Sequence, residues 1–373
     1  MPSLVFLTAG AALVLLALHA RALHGARTAA ELFGLAFVYF VVKENLSVAG
    51  YFHVYYYAHE PAVRIVHAPL GVVVGWLFTT YLAWTIAERL LARFPASRGA
   101  FPHTVLVAML ATAAISYPME AAGTSLGWWR WTVDRVPWVI PPPADGSHAW
   151  VAIPPVPLIG WAFFVGGFLF WWLAARAWAP RRAWLRVPIV AGGSALHFVA
   201  IHGAGDGPEL QFAIQLGLFF VALALMAPRA SQVAPVTSPD LERAPLAVRH
   251  AVEVAAGLMG TVVLGLIAIR IRDAEHLLTL VPLTLFLAAA EPRVRRGALA
   301  WGCVACWAIG IATASPKIFT VSFFPMGFFL ALGLRRFGGW ARRVVSGDGA
   351  PAQSGSLPET PASPALSASA PRS

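Results

Sequence analysis

The chain has 373 residues, of which 58% are hydrophobic and only 12% are charged, and its mean hydropathy is +0.69. Water-soluble domains of this length do not have such a composition, so we predict an integral membrane protein. The formal net charge of +10 comes almost entirely from arginine, because the chain has only two lysines, Lys43 and Lys317. These arginines lie in short segments between apolar runs. That pattern is typical of cytoplasmic loops and disfavours nucleic-acid binding.

Apolar runs of about 16–23 residues recur along the chain, close to the ~20 residues that a membrane-spanning helix needs. We therefore predict an all-α fold, a polytopic transmembrane helix bundle with about eleven spans. The first run has no basic segment before it and is interpreted as a span rather than a cleaved signal peptide. The predicted spans are 3–20, 29–49, 65–87, 104–121, 157–178, 187–203, 210–227, 249–269, 275–290, 297–313 and 319–334.

The distribution of arginine predicts the orientation. Loops after odd-numbered spans carry most of the arginines, whereas loops after even-numbered spans are neutral or acidic. This alternation places the N-terminus outside and the C-terminus in the cytoplasm of a multi-pass protein of the inner (cytoplasmic) membrane. We divide the chain into a membrane domain at 1–230 with motif-bearing spans at 29–178, additional transmembrane helices at 246–345, and a Pro/Ala/Ser/Gly-rich tail at 346–373 that we expect to be disordered.

Two segments share a plan that suggests an internal repeat. In "KENLSVAGYFHVYYY" (43–57) and "MEAAGTSLGWWRW" (119–131), a glutamate, Glu44 or Glu120, is followed by a glycine and a group of aromatic residues. Pro-Leu and then Gly-Trp follow each segment, at Pro69, Leu70, Gly75 and Trp76 in the first and at Pro157, Leu158, Gly160 and Trp161 in the second. Such a repeat would bring two carboxylates and two aromatic clusters to one side of the membrane. Short aromatic motifs also recur by chance in so biased a composition.

The two glutamates, Glu44 and Glu120, are the candidate catalytic residues. An ionisable residue in or beside a span usually faces the interior of the bundle. A carboxyl group buried among aromatic rings tends to keep its proton, which would make it a general acid. Ring faces can stabilise a carbocation, so the combination suits protonation of an isolated alkene. Depending on access, the cation would then undergo hydration, cyclisation or isomerisation.

The aromatic residues beside the glutamates are candidates for the walls of a substrate cavity. These candidate substrate-binding residues are Tyr55, Tyr57, Trp128, Trp129, Arg130 and Trp131. Arg130 could also stabilise the second carboxylate. Trp and Tyr collect at bilayer interfaces in membrane proteins generally, so an interfacial belt is the competing interpretation of the rings.

Other sequence features give no cofactor or metal site. Cys303 and Cys306 lie three residues apart in an apolar run and are better explained as small core residues than as a redox pair. The chain has no HExxH motif, no Gly-rich phosphate loop and no nucleophile elbow. We therefore predict neither an organic cofactor nor a metal ion.

The order of these motifs resembles the membrane-bound carotenoid biosynthesis proteins that include the bisanhydrobacterioruberin and carotenoid 1,2-hydratases. The residues that carry the resemblance lie between about 31 and 175: Glu44, Gly50-Tyr51, Tyr55, Tyr57, Pro69-Leu70, Pro118-Met119, Gly127-Trp128-Trp129-Arg130-Trp131, Pro157-Leu158 and Gly160-Trp161. Family members have Asp immediately before the Pro-x-Met-like element, where this chain has Tyr117. If that aspartate is catalytic in the family, Glu120 would have to replace it from the next turn of the helix.

The resemblance implies an enzyme that adds water across the terminal C1–C2 double bond of an acyclic carotenoid, with a lipid-soluble polyene or isoprenoid substrate and membrane lipids as its partners. A lycopene-cyclase-like or other isoprenoid-modifying enzyme is the alternative that uses the same acid. From another class, a transporter or lipid-binding protein would also fit many spans and an internal repeat. Few polar residues are predicted at the midplane of the membrane, which disfavours transport.

Overall fold

A computed structural model describes residues 2–48, 55–57, 63–92, 101–132, 155–202, 238–266, 269–270 and 282–283. Most of these residues are helical. The six long helices are α1 (Pro2–His24), α2 (Ala26–Val48), α3 (Leu70–Ala92), α4 (Phe101–Ser125), α5 (Pro155–Trp178) and α6 (Ala183–His202). Two short helices, α7 (Pro239–Arg243) and α8 (Leu246–Arg249), then lead into α9 (Ala251–Leu266).

Four helices in the described part of the chain are long and apolar enough to cross a membrane. They cover Leu4–His24, Leu70–Ala92, His103–Ser125 and Gly160–Trp178. Helix α2 has a comparable length of 23 residues, but Glu31, Lys43 and Glu44 interrupt its apolar sequence. The helical, membrane-compatible architecture predicted from the sequence is therefore observed at this coarser level. The predicted spans at 210–227, 297–313 and 319–334, most of 275–290, and the tail at 346–373 lie outside the described residues.

The helices pack in an order that makes α3 the centre of the bundle. Helix α1 packs against α3 and α9, α3 packs against α4, and α4 packs against α5, which in turn contacts α6. Most side chains of α3 are buried, and Tyr81 on this helix is completely inaccessible. Rings from neighbouring helices complete the core, among them Phe40, Phe168 and Trp172.

Ion pairs connect the helices at one end of the bundle. Arg186 at the start of α6 donates to Glu31 at 2.8 Å, and Arg89 near the end of α3 pairs with Glu253 of α9. The opposite end of the bundle is formed by the C-terminal parts of α2 and α4 and the N-terminal ends of α3 and α5. Glu44 and Glu120 are located at that second end.

Two small antiparallel sheets depart from the predicted all-helical fold. Strand β2 (Arg64–Ile65) pairs with β3 (Ala68–Pro69) in a hairpin just before α3. Strand β1 (Tyr55–Tyr57) pairs with β4 (Trp129–Trp131) across 74 residues of sequence, with Tyr56 opposite Arg130 at the centre of the register. The purely helical prediction missed both sheets, because strands of two or three residues are too short to show a periodic pattern.

Candidate functional site

Glu44 is completely buried and accepts four hydrogen bonds. Its Oε1 accepts from Lys43 Nζ at 2.8 Å and from Trp76 Nε1 at 2.5 Å. Its Oε2 accepts from the hydroxyls of Tyr55 at 2.5 Å and Tyr57 at 2.8 Å. A carboxylate offers about four lone-pair positions, so this donor set occupies all of them. The arrangement therefore holds Glu44 as an anion.

Lys43 supplies the positive charge beside Glu44. Its side chain is 4% exposed, and its Nζ lies over three ring faces, 4.5 Å from the centroid of Trp76, 4.9 Å from Phe164 and 5.1 Å from Tyr55. Nζ also donates to the Tyr55 hydroxyl at 3.0 Å. Ring faces and a carboxylate both stabilise an ammonium, so the buried pair is held ionised on both sides.

The two tyrosines remain hydrogen-bond donors over a wide pH range. Burial, together with the charge of Glu44, raises the pKa of Tyr55 and of Tyr57 well above the ordinary value of 10. A phenolate at either position would place a second negative charge in the same apolar surroundings. The hydroxyl protons therefore stay in place and point at Glu44.

Glu120 is 1% exposed and accepts hydrogen bonds from three indole groups. Its Oε2 accepts from Trp129 Nε1 at 2.9 Å and from Trp131 Nε1 at 3.1 Å. Its Oε1 accepts from Trp161 Nε1 at 2.5 Å. Among the described residues no fourth donor and no cation contacts Glu120, so one acceptor position on Oε1 is left. Met119 precedes Glu120 in the chain, where Lys43 precedes Glu44.

The two glutamate sites are related by an approximate two-fold arrangement. In β1 and β4 the first and third side chains face the glutamates, because alternate residues of a strand share a face. Tyr55 and Tyr57 thus donate to Glu44 as Trp129 and Trp131 donate to Glu120. The Gly-Trp element that follows each segment supplies the remaining indole donor. These contacts confirm that the two segments form corresponding structural units, as the repeat predicted.

Local backbone features place β4 next to Glu120. Helix α4 ends in a Schellman motif, in which Trp128 N–H donates to Gly123 O at 2.8 Å and Gly127 N–H donates to Thr124 O at 3.1 Å. Gly127 has φ +66°, the left-handed conformation that this motif requires. The ring of Trp129 then lies against Gly123, where a Cβ would come within 2.1 Å of the ring carbon Cη2.

The structure brings together most of the residues predicted for the site. The clusters around the two glutamates contain six of them: Glu44, Tyr55 and Tyr57 in one, and Glu120, Trp129 and Trp131 in the other. Trp128 is buried, and its ring centroid lies 6.2 Å from that of Trp129. Arg130 occupies the exposed central position of β4 and, among the described contacts, does not pair with Glu120. The expectation that Arg130 stabilises the second carboxylate is therefore wrong. The side chain at this position is directed to the opposite face of the strand.

Sequence reasoning missed three residues of the site. Lys43, Trp76 and Trp161 were not among the predicted site residues, although all three contact a glutamate or its neighbours. The repeated Gly-Trp element was the available signal for the two tryptophans. Tyr117, the position at which the resemblance would place an aspartate, is 1% exposed in α4, and the carboxylate of Glu120 lies three residues later. No group of three or more His, Cys, Asp or Glu side chains in the described ranges could hold a metal ion.

The chemistry of the site is thus that of two buried carboxylates with unequal surroundings. Glu44 has a cation and no free acceptor position, whereas the donors that the described residues give Glu120 are all neutral and leave one position. Between the two lie the rings of Trp76 and Trp161, whose centroids are 4.2 Å apart and whose planes are tilted by 32°. A scan against protein-family models, a search of curated proteins and a search of solved structures each find no match to this chain.

Proposed function

We propose that this protein is a membrane enzyme that protonates an isolated alkene of an isoprenoid, and that it adds water across the terminal C1–C2 double bond of an acyclic carotenoid. The observation that supports this most directly is the donor set of Glu120, three indole N–H groups with one acceptor position left on Oε1. The resemblance to carotenoid hydratases supplies the substrate class.

Glu120 is the better candidate for the acid. A protonated carboxyl group needs one oxygen position for its own hydrogen, and Oε1 of Glu120 offers it. After the proton leaves, the three indole N–H groups stabilise the carboxylate that remains. Glu44 lacks such a position and is paired with Lys43, so it serves as the permanent anion that keeps Lys43 and the tyrosines in place.

The proposed reaction returns the acid to its starting state. The electron pair of the C1–C2 double bond forms a new C2–H bond with the Glu120 proton, which leaves the positive charge on C1. The oxygen of a water molecule then bonds to C1, and the extra proton of that water returns to the Glu120 carboxylate. The net change is the addition of one water molecule. Aromatic ring faces beside Glu120 would stabilise the intermediate cation.

Expression in a lycopene-producing bacterium, with the pigments analysed by mass, tests this function. We expect the wild type to increase the pigment mass by one water per modified end, and E120Q to abolish the change because the amide carries no acidic proton. The matched control is E253Q, which changes a partly exposed glutamate at the opposite end of the bundle and should leave conversion unchanged.

Other outcomes would redirect the proposal. An unchanged mass with altered absorbance would favour a lycopene-cyclase-like or other isomerising enzyme. Untouched pigment in cells that contain the folded wild type would contradict the hydratase and favour a transporter or lipid-binding protein.

We also propose that about eleven spans cross the inner membrane, with the N-terminus outside and the C-terminus in the cytoplasm. The arginine-bearing ends of α3, α5 and α6 support a cytoplasmic position for that end of the bundle. The glutamate sites would then lie toward the outer face. Reporter fusions after residues 27, 98 and 182 should report a cytoplasmic location, and a fusion after residue 62 a non-cytoplasmic one.

A further inference from the structure

An apolar groove lies between α1, α3, α4 and α9, directly beside the Glu120 site. The groove is open to the exterior, and the space not filled by protein atoms in and just outside it amounts to about 590 Å³. Its walls include Phe6 of α1, Gly75 and Phe78 of α3, Met119 of α4, Trp161 of α5 and Gly260 of α9. Among the described residues none that lines the groove is charged, and only Thr79 and Trp161 carry a polar side-chain group, so the lining offers a charged headgroup no ion pair.

The groove and the glutamate site share residues. The indole of Trp161 lines the groove and donates its N–H to Glu120 Oε1, the oxygen that has an acceptor position left. Pro118 and Met119, the two residues before Glu120, line the same space. Because Pro118 has no N–H, α4 lacks one backbone hydrogen bond at this point. A ligand in the groove would therefore end next to Glu120.

Two glycines on different helices keep the groove open. A Cβ added at Gly75 of α3 or at Gly260 of α9 would meet no atom within 4 Å. Between Gly75 and Leu82, both of which line the groove, α3 rises about 10 Å, at roughly 1.5 Å per residue. The groove thus extends about 10 Å along α3, a length that accommodates the end of a hydrocarbon chain.

We propose that this groove binds the hydrocarbon end of an acyclic isoprenoid and brings its terminal alkene to Glu120. This inference rests on the function proposed above and adds the location and the chemistry of its substrate site. An unsubstituted hydrocarbon end is the ligand that the uncharged lining favours, because burying it needs no polar partner. The chain would enter from the open part of the groove.

Lycopene itself is the probe that tests the inference. It is achiral, so circular dichroism in its visible bands arises only from molecules held in a chiral protein site and not from those dissolved in detergent. We expect purified wild type to induce this signal, and E120Q to retain it while it loses hydration. The Cβ of a leucine at Gly75 or at Gly260 would meet no atom within 4 Å, and the rest of its side chain would take up space in the groove, so G75L and G260L should each weaken lycopene binding about tenfold or more. G75A, which adds a single methyl group, should have a smaller effect.

The matched control is G257L. Gly257 lies on α9, as Gly260 does, but it is exposed and does not line the groove, and a Cβ added there would meet no atom within 4 Å. Elution from a sizing column establishes that each variant is folded, and G260L provides the test if G75L is not. Induced dichroism that persists in both leucine variants, or that is absent in the wild type, would overturn the groove. If the leucine variants lose the induced dichroism but the wild type does not hydrate lycopene in cells, the groove is a lycopene-binding site and the hydratase function is contradicted. If the leucine variants hydrate lycopene in cells as well as the wild type does, the hydratase function is supported and the groove is not its substrate site.

Discussion

The indole rings of Trp76 and Trp161 lie with their centroids 4.2 Å apart and their planes tilted by 32°, and each ring donates its N–H to a different buried glutamate. One pair of rings thus forms a common wall between Glu44 and Glu120. The two sites have corresponding donors on a strand and on a helix, and they differ in the residue before the glutamate. Lys43 supplies a fourth donor in one site, whereas Met119 supplies none in the other. Because only the Glu44 site contains a lysine, Glu44 can remain ionised while Glu120 is free to carry a proton.

The pair of Lys43 and Glu44 should behave as a single energetic unit. K43M would leave the Glu44 carboxylate buried without its cation, and E44Q would leave the ammonium without its anion. Each change should reduce the free energy of unfolding by about 3–5 kcal/mol, the usual effect of removing one partner of a buried pair. The double variant K43M/E44Q should lose much less than the sum of the two, because neither charge is then left alone.

Unfolding of the purified protein in mixed micelles with increasing denaturing detergent measures these three variants. E31Q is the control, since it breaks the Arg186 pair at the opposite end of the bundle and should couple to neither change. Additive effects of K43M and E44Q would show that the two side chains do not stabilise each other.

A lysine in place of Met119 should abolish the activity of the Glu120 site. M119K places an ammonium before Glu120 in the same relation that Lys43 has to Glu44, and Lys and Met have similar lengths. The new ion pair would occupy the remaining position on Oε1 and hold Glu120 ionised, so pigment hydration should fall about 100-fold or more, since general acid catalysis contributes typically that much. The assay is pigment mass in the lycopene-producing host.

M119L distinguishes charge from packing, because Leu keeps the apolar contacts of Met119 with Ala122 and Val263 and adds no donor. Its hydration activity should remain within a few-fold of wild type. Full activity in M119K with the protein folded would mean that Glu120 is not the proton donor.

Particular residues show how far the sequence predicted this site. The recurrence of Glu, Gly, aromatics and Gly-Trp identified the two units, and the i, i+2 spacing of Tyr55 and Tyr57 is compatible with one face of a strand. The pairing of β1 with β4 was not predictable, because three residues give no register and the partner is distant in sequence. Lys43 was overlooked for another reason. Adjacent residues on a helix do not face each other, and only its long, flexible side chain lets Nζ return to Glu44.

Removing the hydroxyl of Tyr57 should change both stability and its dependence on pH. Y57F takes one hydrogen bond from a charged acceptor, which should reduce the free energy of unfolding by about 1.5–3 kcal/mol. The pKa of Tyr57 is raised in the folded protein, so its stabilising effect is complete below the unfolded value of about 10 and is lost as pH rises above that value. The alkaline decline in stability should therefore be shallower in Y57F than in wild type.

Unfolding measured at intervals from neutral pH to above pH 10 tests this difference, since each raised tyrosine contributes up to about 1.4 kcal/mol per pH unit there. Y56F is the matched control, because Tyr56 is the central residue of the same strand and is 42% exposed. Its stability should remain close to that of wild type at all pH values. Parallel wild-type and Y57F curves above pH 10 would contradict the protonated, hydrogen-bonded state of Tyr57.

The close approach of Trp129 to Gly123 should make this glycine essential for the Glu120 site. In G123A the new Cβ would lie 2.1–2.5 Å from three carbons of the Trp129 ring, so the ring must move and its N–H bond to Glu120 is lost. We expect the free energy of unfolding to fall by about 1–3 kcal/mol, as in other overpacked sites, and hydration to fall with it. G34A is the control, because Gly34 is exposed on α2 with open space around it. W129F removes the part of the ring that the added methyl group would meet, so G123A should have little further effect in a W129F background. Equal losses from G123A in both backgrounds would place the cause in the helix rather than in this contact.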